Sequence, residues 1–310
     1  MIVLRADLSP RTGLRSLRRC AWLAALLKKQ GHVLLCCREN KAAAKFLAEK
    51  GILFSLIRDP GAIDLSKAKA IVFDVEPFSV QDAALLDKAK TNGVKAIQFV
   101  PVAGQPQAAD ILLSSWGDER SVLLHHKFRH FNKARRKYRG KARNVFIHLG
   151  DMLPYRDLRA VVDVLHRLRY RMKIAPGLNL KKADKRNLMK IYPGVHFCGR
   201  SESPARAYFE ADLALIPPGE EAFEAACTGT PALYLALEKG QEAQADSLAA
   251  RGLGVRIPSL ADFAVDGVRE ALAPLDRETR EKMGAVGKVL VDGLGVQRFF
   301  KVLGEQGIIE

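Results

Sequence analysis

The sequence predicts an α/β fold of two doubly wound, Rossmann-like domains facing a cleft, and three observations carry that prediction. Short strand-like runs alternate with amphipathic helical runs from end to end. The strand runs are apolar on both faces, the mark of parallel strands covered by helices on two sides. The alternation breaks once, at a basic stretch, and then resumes, so the 310 residues divide into two halves of ordinary domain size.

Taken in order, residues 2–6 read as a strand and 15–30 as a helix, followed by strand 32–37, helix 41–50 and strand 52–56. Strand 70–74, helix 80–92 and strands 96–100 and 111–114 complete the first half. After the basic stretch the rhythm resumes with strand 145–149, helix 156–169, strand 171–175, helix 181–191 and strand 195–198. Helix 204–210, strand 213–216, helix 221–228, strand 232–235, helix 241–251, strand 255–257 and two closing helices follow. Pro-Gly and Asn-Gly pairs fall where the loops are needed. The expected domains are 1–116 and 144–294, joined by a basic linker 117–143 and followed by a C-terminal helix 295–310. Ligands in open parallel sheets sit at the C-terminal strand ends, so a cleft between the domains is the default site.

Composition narrows the function classes. Hydrophobic residues make up 48% and charged residues 27%, which suits a globular chain and not a disordered one. The longest apolar runs, such as Ala232-Leu233-Tyr234-Leu235-Ala236-Leu237, are far too short to span a bilayer, and the N-terminus does not read as a signal peptide. A cytoplasmic protein is expected. Cys20, Cys36, Cys37, Cys198 and Cys227 show no paired spacing and read as reduced core residues. His126 and His130 share a helix face but have no carboxylate or thiol beside them. No metal site and no cofactor are predicted.

Fifty Lys and Arg against 34 Asp and Glu give a net charge of +16, which favours an anionic partner. No acidic residue occurs between Arg120 and Gly150, where Lys127, Arg129, Lys133, Arg135, Arg136, Lys137, Arg139, Lys141 and Arg143 crowd together. A second basic stretch covers 181–190, while 202–246 is rich in acid. A solvated surface and an anion-binding one are both open readings of these stretches. Nucleic acid is disfavoured, since no RNA- or DNA-binding motif occurs and only Phe128, Phe131 and Tyr138 could stack on bases in the first stretch.

Three loops carry candidate chemistry. Arg5 to Ser16, with Gly13 before a helix, could bring backbone N–H groups toward phosphate or sugar oxygens; a plain strand-to-helix turn is the alternative. In Pro217-Pro218-Gly219, Gly219 frees the backbone to approach a ligand, and Glu224, one turn into the next helix, could accept from both hydroxyls of a ribose. The alternatives are that Glu224 offsets the helix dipole or faces solvent, and that Gly229-Thr230-Pro231 is an ordinary turn. Gln241 opens the following helix, where its amide could reach a ligand.

In order and spacing these residues resemble the GT-B-fold nucleotide-sugar family that includes the UDP-sugar hydrolase of pseudaminic acid biosynthesis (PseG) and the spore-coat polysaccharide protein SpsG. MurG-type transferases are more distant relatives. The similarity rests on Arg5-Ala6-Asp7, Gly13-Leu14-Arg15-Ser16-Leu17-Arg18-Arg19, Leu23-Ala24-Ala25-Leu26 and Phe146-Ile147-His148-Leu149-Gly150. It continues through Ala211-Asp212-Leu213-Ala214-Leu215, Gly219, Glu224, Gly229-Thr230-Pro231, Gln241 and 292–298. The chain departs from the family where Arg15 replaces a glycine, Ser16 the catalytic histidine, Asp74-Val75-Glu76 an Asp-Ser-Tyr segment, and Gly240 an asparagine.

The resemblance implies a GT-B-like glycosyltransferase or UDP-sugar hydrolase of surface polysaccharide biosynthesis. Its C-terminal half would hold the nucleotide through Gly150, Gly219, Glu224, Gly229 and Gln241, and its N-terminal half the acceptor or water through Gly13. Asp7, Arg15 and Ser16 would be the catalytic positions. A serine is too weak a base at neutral pH to activate water, which favours transfer over hydrolysis and leaves a non-catalytic nucleotide-sugar-binding or scaffold protein as the alternative. Beyond the UDP-sugar, an anionic membrane surface or a lipid-linked acceptor is the expected partner, with the protein peripheral at the inner membrane face.

Overall fold

The computed structural model describes residues 1–9, 13–100, 109–114, 122–199 and 202–310. Residues 10–12 of the first candidate loop and 117–121 of the expected linker lie outside the described residues. The chain forms two units: Met1–Ser121 with Val296–Glu310, and Val122–Gly295.

The first unit contains β1 (Ile2–Ala6), α1 (Arg15–Leu27), β2 (Val33–Arg38), α2 (Lys41–Glu49) and β3 (Phe54–Ile57), then β4 (Ala70–Asp74), α3 (Val80–Thr91), β5 (Lys95–Val100) and β6 (Ile111–Ser114). Its sheet is parallel in the order β3-β2-β1-β4-β5-β6, with Ile2 in register with Val33 on one side and Ala70 on the other. β1 and β4 are buried along their whole length, as central strands covered on both faces must be. α1 turns Leu17, Cys20, Ala21, Ala24 and Leu27 inward at helical spacing. Local chemistry fixes the helix starts: Asn40 accepts from the N–H groups of Ala42 and Ala43, and Ser79 and Asp82 form a reciprocal capping box on α3.

The second unit begins with α4 (His126–Lys133) and continues with β7 (Asn144–Ile147), α5 (Tyr155–Arg167), β8 (Arg171–Ile174), α6 (Lys182–Ile191), β9 (Val195–Phe197) and α7 (Pro204–Glu210). Next come β10 (Leu213–Ile216), α8 (Glu220–Thr228), β11 (Ala232–Tyr234), α9 (Gln241–Ala250), β12 (Gly254–Arg256), α10 (Val265–Leu272) and α11 (Arg277–Leu290). The sheet is again six-stranded and parallel, ordered β12-β11-β10-β7-β8-β9. Val145, Ile147, Leu213, Leu215 and Leu233 join Leu158, Val161, Val162 and Leu165 of α5 in the core. The chain then rejoins the first unit through α12 (Gly295–Glu305).

Residues 122–143, most of the segment expected as a linker, are part of the second unit and not a free connector. Their cations serve as internal fasteners. The Arg136 guanidinium donates to the carbonyls of Phe209 (2.8 Å) and Ala211 and to Thr230 Oγ1 (2.9 Å), satisfying acceptors at the end of α7. Tyr138 donates to the Gly229 carbonyl at 2.8 Å, and Lys288 Nζ to that of Ala134 at 2.7 Å. Asp212 accepts from the N–H groups of Arg143 and Asn144, both at 2.9 Å, which ties the start of β7 to the start of β10. The four described core thiols Cys20, Cys36, Cys37 and Cys227 are buried and free; Cys198 is partly exposed. Burial pushes the Cys36 and Cys37 thiols up to about 11, so they stay protonated at neutral pH.

α4 makes one element of the fold acid-sensitive. His125 Nδ1 accepts the Lys127 N–H at 3.3 Å, a cap that needs the neutral ring. Burial, then the charges of His126 and Lys127, pushes the His125 pKa down to about 4, below the ordinary value near 6.5. The stabilisation it gives is present above pH ~6.5 and lost as pH falls through ~4. His125→Asn, which keeps a cap without a titrating group, is expected to reduce the loss of thermal stability across that interval. An unchanged pH profile would remove His125 as its source.

Candidate functional site

In a parallel sheet entered at its middle, the loops leaving the two central strands run to opposite faces and open a crevice at their C-terminal ends. Those strands are β7 and β10 in the second unit and β1 and β4 in the first. Each unit therefore has one such crevice of its own.

In the second unit β7 runs into His148-Leu149-Gly150, and β10 into Pro217-Pro218-Gly219 at the head of α8. Gly150 takes φ +78°, a turn that favours glycine and leaves backbone at the strand end where a side chain would otherwise stand. Glu224, on the first turn and a half of α8, brings a carboxylate oxygen to 3.7 Å from His148 Nδ1. The same nitrogen lies 2.8 Å from the Tyr208 hydroxyl, and the Tyr208 ring meets Phe146 edge-on with centroids 4.7 Å apart. The expected residues Gly150, Gly219 and Glu224 thus share the β7/β10 strand ends. The crevice also contains Glu220 and Glu221 in the first turn of α8. They complement the helix dipole at the head of α8.

Gln241 belongs to the neighbouring strand end. Its side-chain oxygen accepts from the N–H groups of Leu237 (2.8 Å) and Glu238 (3.4 Å), so it folds the β11–α9 loop. Gly229 stands apart, at the far end of α8 in the left-handed region, φ +70°. A Cβ there would come within 2.7 Å of the Lys288 side chain, which marks it as a close-packing position.

In the first unit Arg5 is fully buried in β1. Its guanidinium grips both oxygens of Asp7 at 2.6 and 2.5 Å, and its Nε donates to Asp82 at 2.9 Å. Asp7 also accepts the Arg38 N–H at 2.7 Å. A carboxylate held this way anchors the strand end. Asp74, at the end of β4, is held in the same manner by Arg19 at 2.6 and 2.7 Å. Gly13 pairs with Ser9 across the start of the loop, and Ser16 is buried in the first turn of α1 beside the partly exposed Arg15. Gly13, Arg15 and Ser16 therefore stay together at one strand end.

Sequence reading passed over His148 and Tyr208. The signal for His148 was present: a histidine closing an apolar strand directly before Leu-Gly. Tyr208 carried none, since its place beside His148 depends on the packing of α7. Among the described residues no group of three His, Cys, Asp or Glu could hold a metal ion, and no helix is long and apolar enough to cross a membrane.

No protein-family model matches the sequence, and no curated protein matches it. Solved structures do match. The spinosyn rhamnosyltransferase SpnG complexed with thymidine diphosphate shares 17% identity at a TM-score of 0.67, over 98% of this chain and 100% of that one. MurG of Acinetobacter baumannii shares 16% at 0.66, over 98% and 99%. The glycotransferase of kitacinnamycin shares 15% at 0.64, over 98% of both chains. At such identities the likeness is one of fold, and the chain has the two-domain α/β architecture of GT-B glycosyltransferases.

The Arg5 cluster yields a stability prediction. Arg5→Ala leaves the buried Asp82 and the strand-end Asp7 with only the more exposed Arg38 guanidinium, 3.9 Å from each, and is expected to cost about 3–5 kcal/mol. Denaturant unfolding measures this. A loss below about 1 kcal/mol would show that the pair adds little beyond its desolvation cost.

Proposed function

We propose that this chain binds a nucleotide sugar, with UDP-sugars the first candidates, at the β7/β10 strand ends of its second unit and uses it as a glycosyl donor. The observation that carries this reading is the convergence of Gly150, Gly219 and Glu224 there, in a chain of glycosyltransferase fold. Glu224 would accept the ribose hydroxyls. The backbone N–H of Gly150 would face the diphosphate, and Gly219, whose own N–H donates to the Pro217 carbonyl at 2.9 Å, would let the phosphates approach the head of α8, with His148 offsetting their charge against Glu220 and Glu221. Gln241, by shaping the next loop, would border the sugar. SpnG, a structural neighbour, has been seen with thymidine diphosphate and with the spinosyn aglycone, which supports a nucleotide and an acceptor as the two ligand classes.

The first unit would receive the acceptor at the loop of Gly13, Arg15 and Ser16. Transfer is favoured over PseG-like hydrolysis, because Ser16 is buried in a helix turn and Asp7 is committed to Arg5, so neither is poised to activate water. A glycan or lipid-linked acceptor of surface polysaccharide synthesis fits the resemblance. The same two facts favour one alternative, a nucleotide-sugar-binding protein without turnover.

Calorimetric titration with UDP, UDP-N-acetylglucosamine, thymidine diphosphate, ADP and CMP separates these readings. Selective binding of one nucleotide is expected, weakened roughly 10- to 100-fold by Glu224→Ala, the worth of a hydrogen bond to a charged group. Equal binding of all five, unchanged in Glu224→Ala, would overturn the assignment. Selective binding without release of nucleotide across an acceptor panel would establish the alternative.

If transfer occurs, Arg15→Ala is expected to lower kcat about tenfold or more while leaving nucleotide affinity within about twofold, as loss of an electrostatic contact in the transition state would. Unchanged turnover would remove Arg15 from the reaction.

A further inference from the structure

The second basic stretch of the sequence finds no use in the proposed site, and the structure sets cations of α6 from it beside cations of α5 on one face of the second unit, while Lys173 of β8 pairs with Glu202 and Glu210. Between residues 155 and 191 there are eleven Lys and Arg and three Asp, a net charge of +8, half that of the whole chain. The three acids are each engaged locally. Asp157 pairs with Arg156 at 3.3 Å, Asp163 with Arg167 at 2.8 Å, and Asp184 accepts the Lys181 N–H at 3.0 Å.

α5 and α6 lie side by side. The Asn187 amide donates to the Tyr155 hydroxyl at 2.9 Å, the Tyr192 hydroxyl reaches Asp163 at 3.3 Å, and the His166 and Tyr192 rings meet at 5.2 Å. Arg159 shares the seam stripe of α5 with Tyr155 and Asp163 and Arg156 flanks it, next to a stripe of Lys182, Arg186 and Lys190 on α6, and all five are exposed. Apolar side chains stand among the cations. Met189 is 42% exposed on α6, as is Ile191 at its end, and Leu178, in the loop before α6, is 44% exposed.

We propose that the α5–α6 face is a docking surface for an anionic phospholipid bilayer. Charge complementarity carries the choice of occupant, and the apolar residues refine it. A nucleic acid would use the cations but would gain nothing from Met189 and Leu178, and α6 offers no aromatic ring for base stacking. At a bilayer the same arrangement works as a whole: lysine and arginine heads meet lipid phosphates while apolar side chains enter the boundary between headgroups and acyl chains.

The face adjoins the candidate nucleotide site. Leu178 N–H donates to the Asp151 carbonyl at 2.8 Å and Asn179 Nδ2 to that of Met152 at 2.8 Å, so its loop is fastened to the loop that contains Gly150. Docking would bring that rim toward the membrane. The surface stands independently of which nucleotide, if any, the crevice takes.

The test is sedimentation of the full chain with vesicles of phosphatidylcholine alone and of equal parts phosphatidylcholine and phosphatidylglycerol. Binding to the anionic vesicles only is expected. Each basic side chain near such a surface is worth roughly fivefold in partitioning, so Lys182→Gln, Arg186→Gln and Lys190→Gln together should weaken binding by about 100-fold. The same number of changes at Lys133, Lys137 and Lys141 should weaken it far less. Leu178→Ser with Met189→Ser should lower the binding that persists at high salt. All these residues are exposed, and an unaltered thermal unfolding curve confirms that the variants fold. Equal binding to neutral vesicles, undiminished binding by the α6 triple variant, or a preference for competing RNA or duplex DNA over the anionic vesicles would overturn the proposal. Calorimetry with UDP on the triple variant, expected to match the unaltered protein, keeps this result separate from that of the nucleotide site.

Discussion

The structure depends on the all-parallel pairing of its two sheets. A parallel strand cannot return to its neighbour through a tight turn, so each connection must cross the sheet, here mostly through a helix. Because β1 and β7 enter at the centre, successive strands add outward on one side and then on the other. The two helices that flank each centre must lie on opposite faces, and a crevice opens between their N-terminal ends. The site is thus placed by topology before any side chain is chosen. What the sequence decides is which residues stand at four strand ends: Asp7 and Asp74 in one unit, His148 and the Pro217-Pro218-Gly219 turn in the other.

Those strand ends are held by the packing behind them. α8 is nine residues long, with Gly219 and Glu224 toward the crevice and Gly229 at its opposite end. Its far end is clamped by Tyr138 and by α11, whose glycines permit near contact of backbones. A Cβ on Gly287 would lie 2.9 Å from Ala226 Cα, and one on Gly284 would lie 2.6 Å from the Gly229 carbonyl. Arg136 and Lys288 then satisfy carbonyls that this close packing removes from water. The position of Glu224 opposite His148 is therefore set by contacts at the other end of its helix. Burial lowers the Arg136 pKa to about 10, yet the group remains a cation at neutral pH and keeps all its donors.

The architecture was legible in the sequence because its signals are local. Strands 2–6, 70–74, 111–114 and 213–216 and helix 204–210 fall where hydrophobic period and punctuation put them, and the other expected elements differ by a few residues at their ends. α4 was not legible as an element of the fold. Its one buried apolar side chain is Phe128, and its cations resemble those of a solvated connector. What makes residues 122–143 part of the second unit is acceptors more than 70 residues away in the chain: the carbonyls of Phe209 and Ala211 for Arg136, and Asp212 for Arg139. Sequence pattern cannot show such pairings. The same limit applied to Asp7, which read as a catalytic carboxylate while its tie to the Arg5–Asp82 pair, across 77 residues, stayed hidden.

The distribution of bound and unbound charge bears on the kind of reaction such a framework suits. Both carboxylates at the first unit's strand ends are gripped bidentately by arginines, Asp7 by Arg5 and Asp74 by Arg19. A carboxylate in that state stabilises structure and orients its cation, and both of its oxygens are already engaged. Hydrolysis of a glycosyl donor asks most of a base, since water is abundant but weakly nucleophilic. Transfer to a bound acceptor gains from alignment, since holding two reactants in register supplies several kcal/mol, up to about 7–11 in the best cases, and the acceptor proton can leave on the departing phosphate. At the proposed acceptor position, the β1/β4 strand ends, both acids are thus committed to structure, which matches that crevice to binding a ligand better than to activating water.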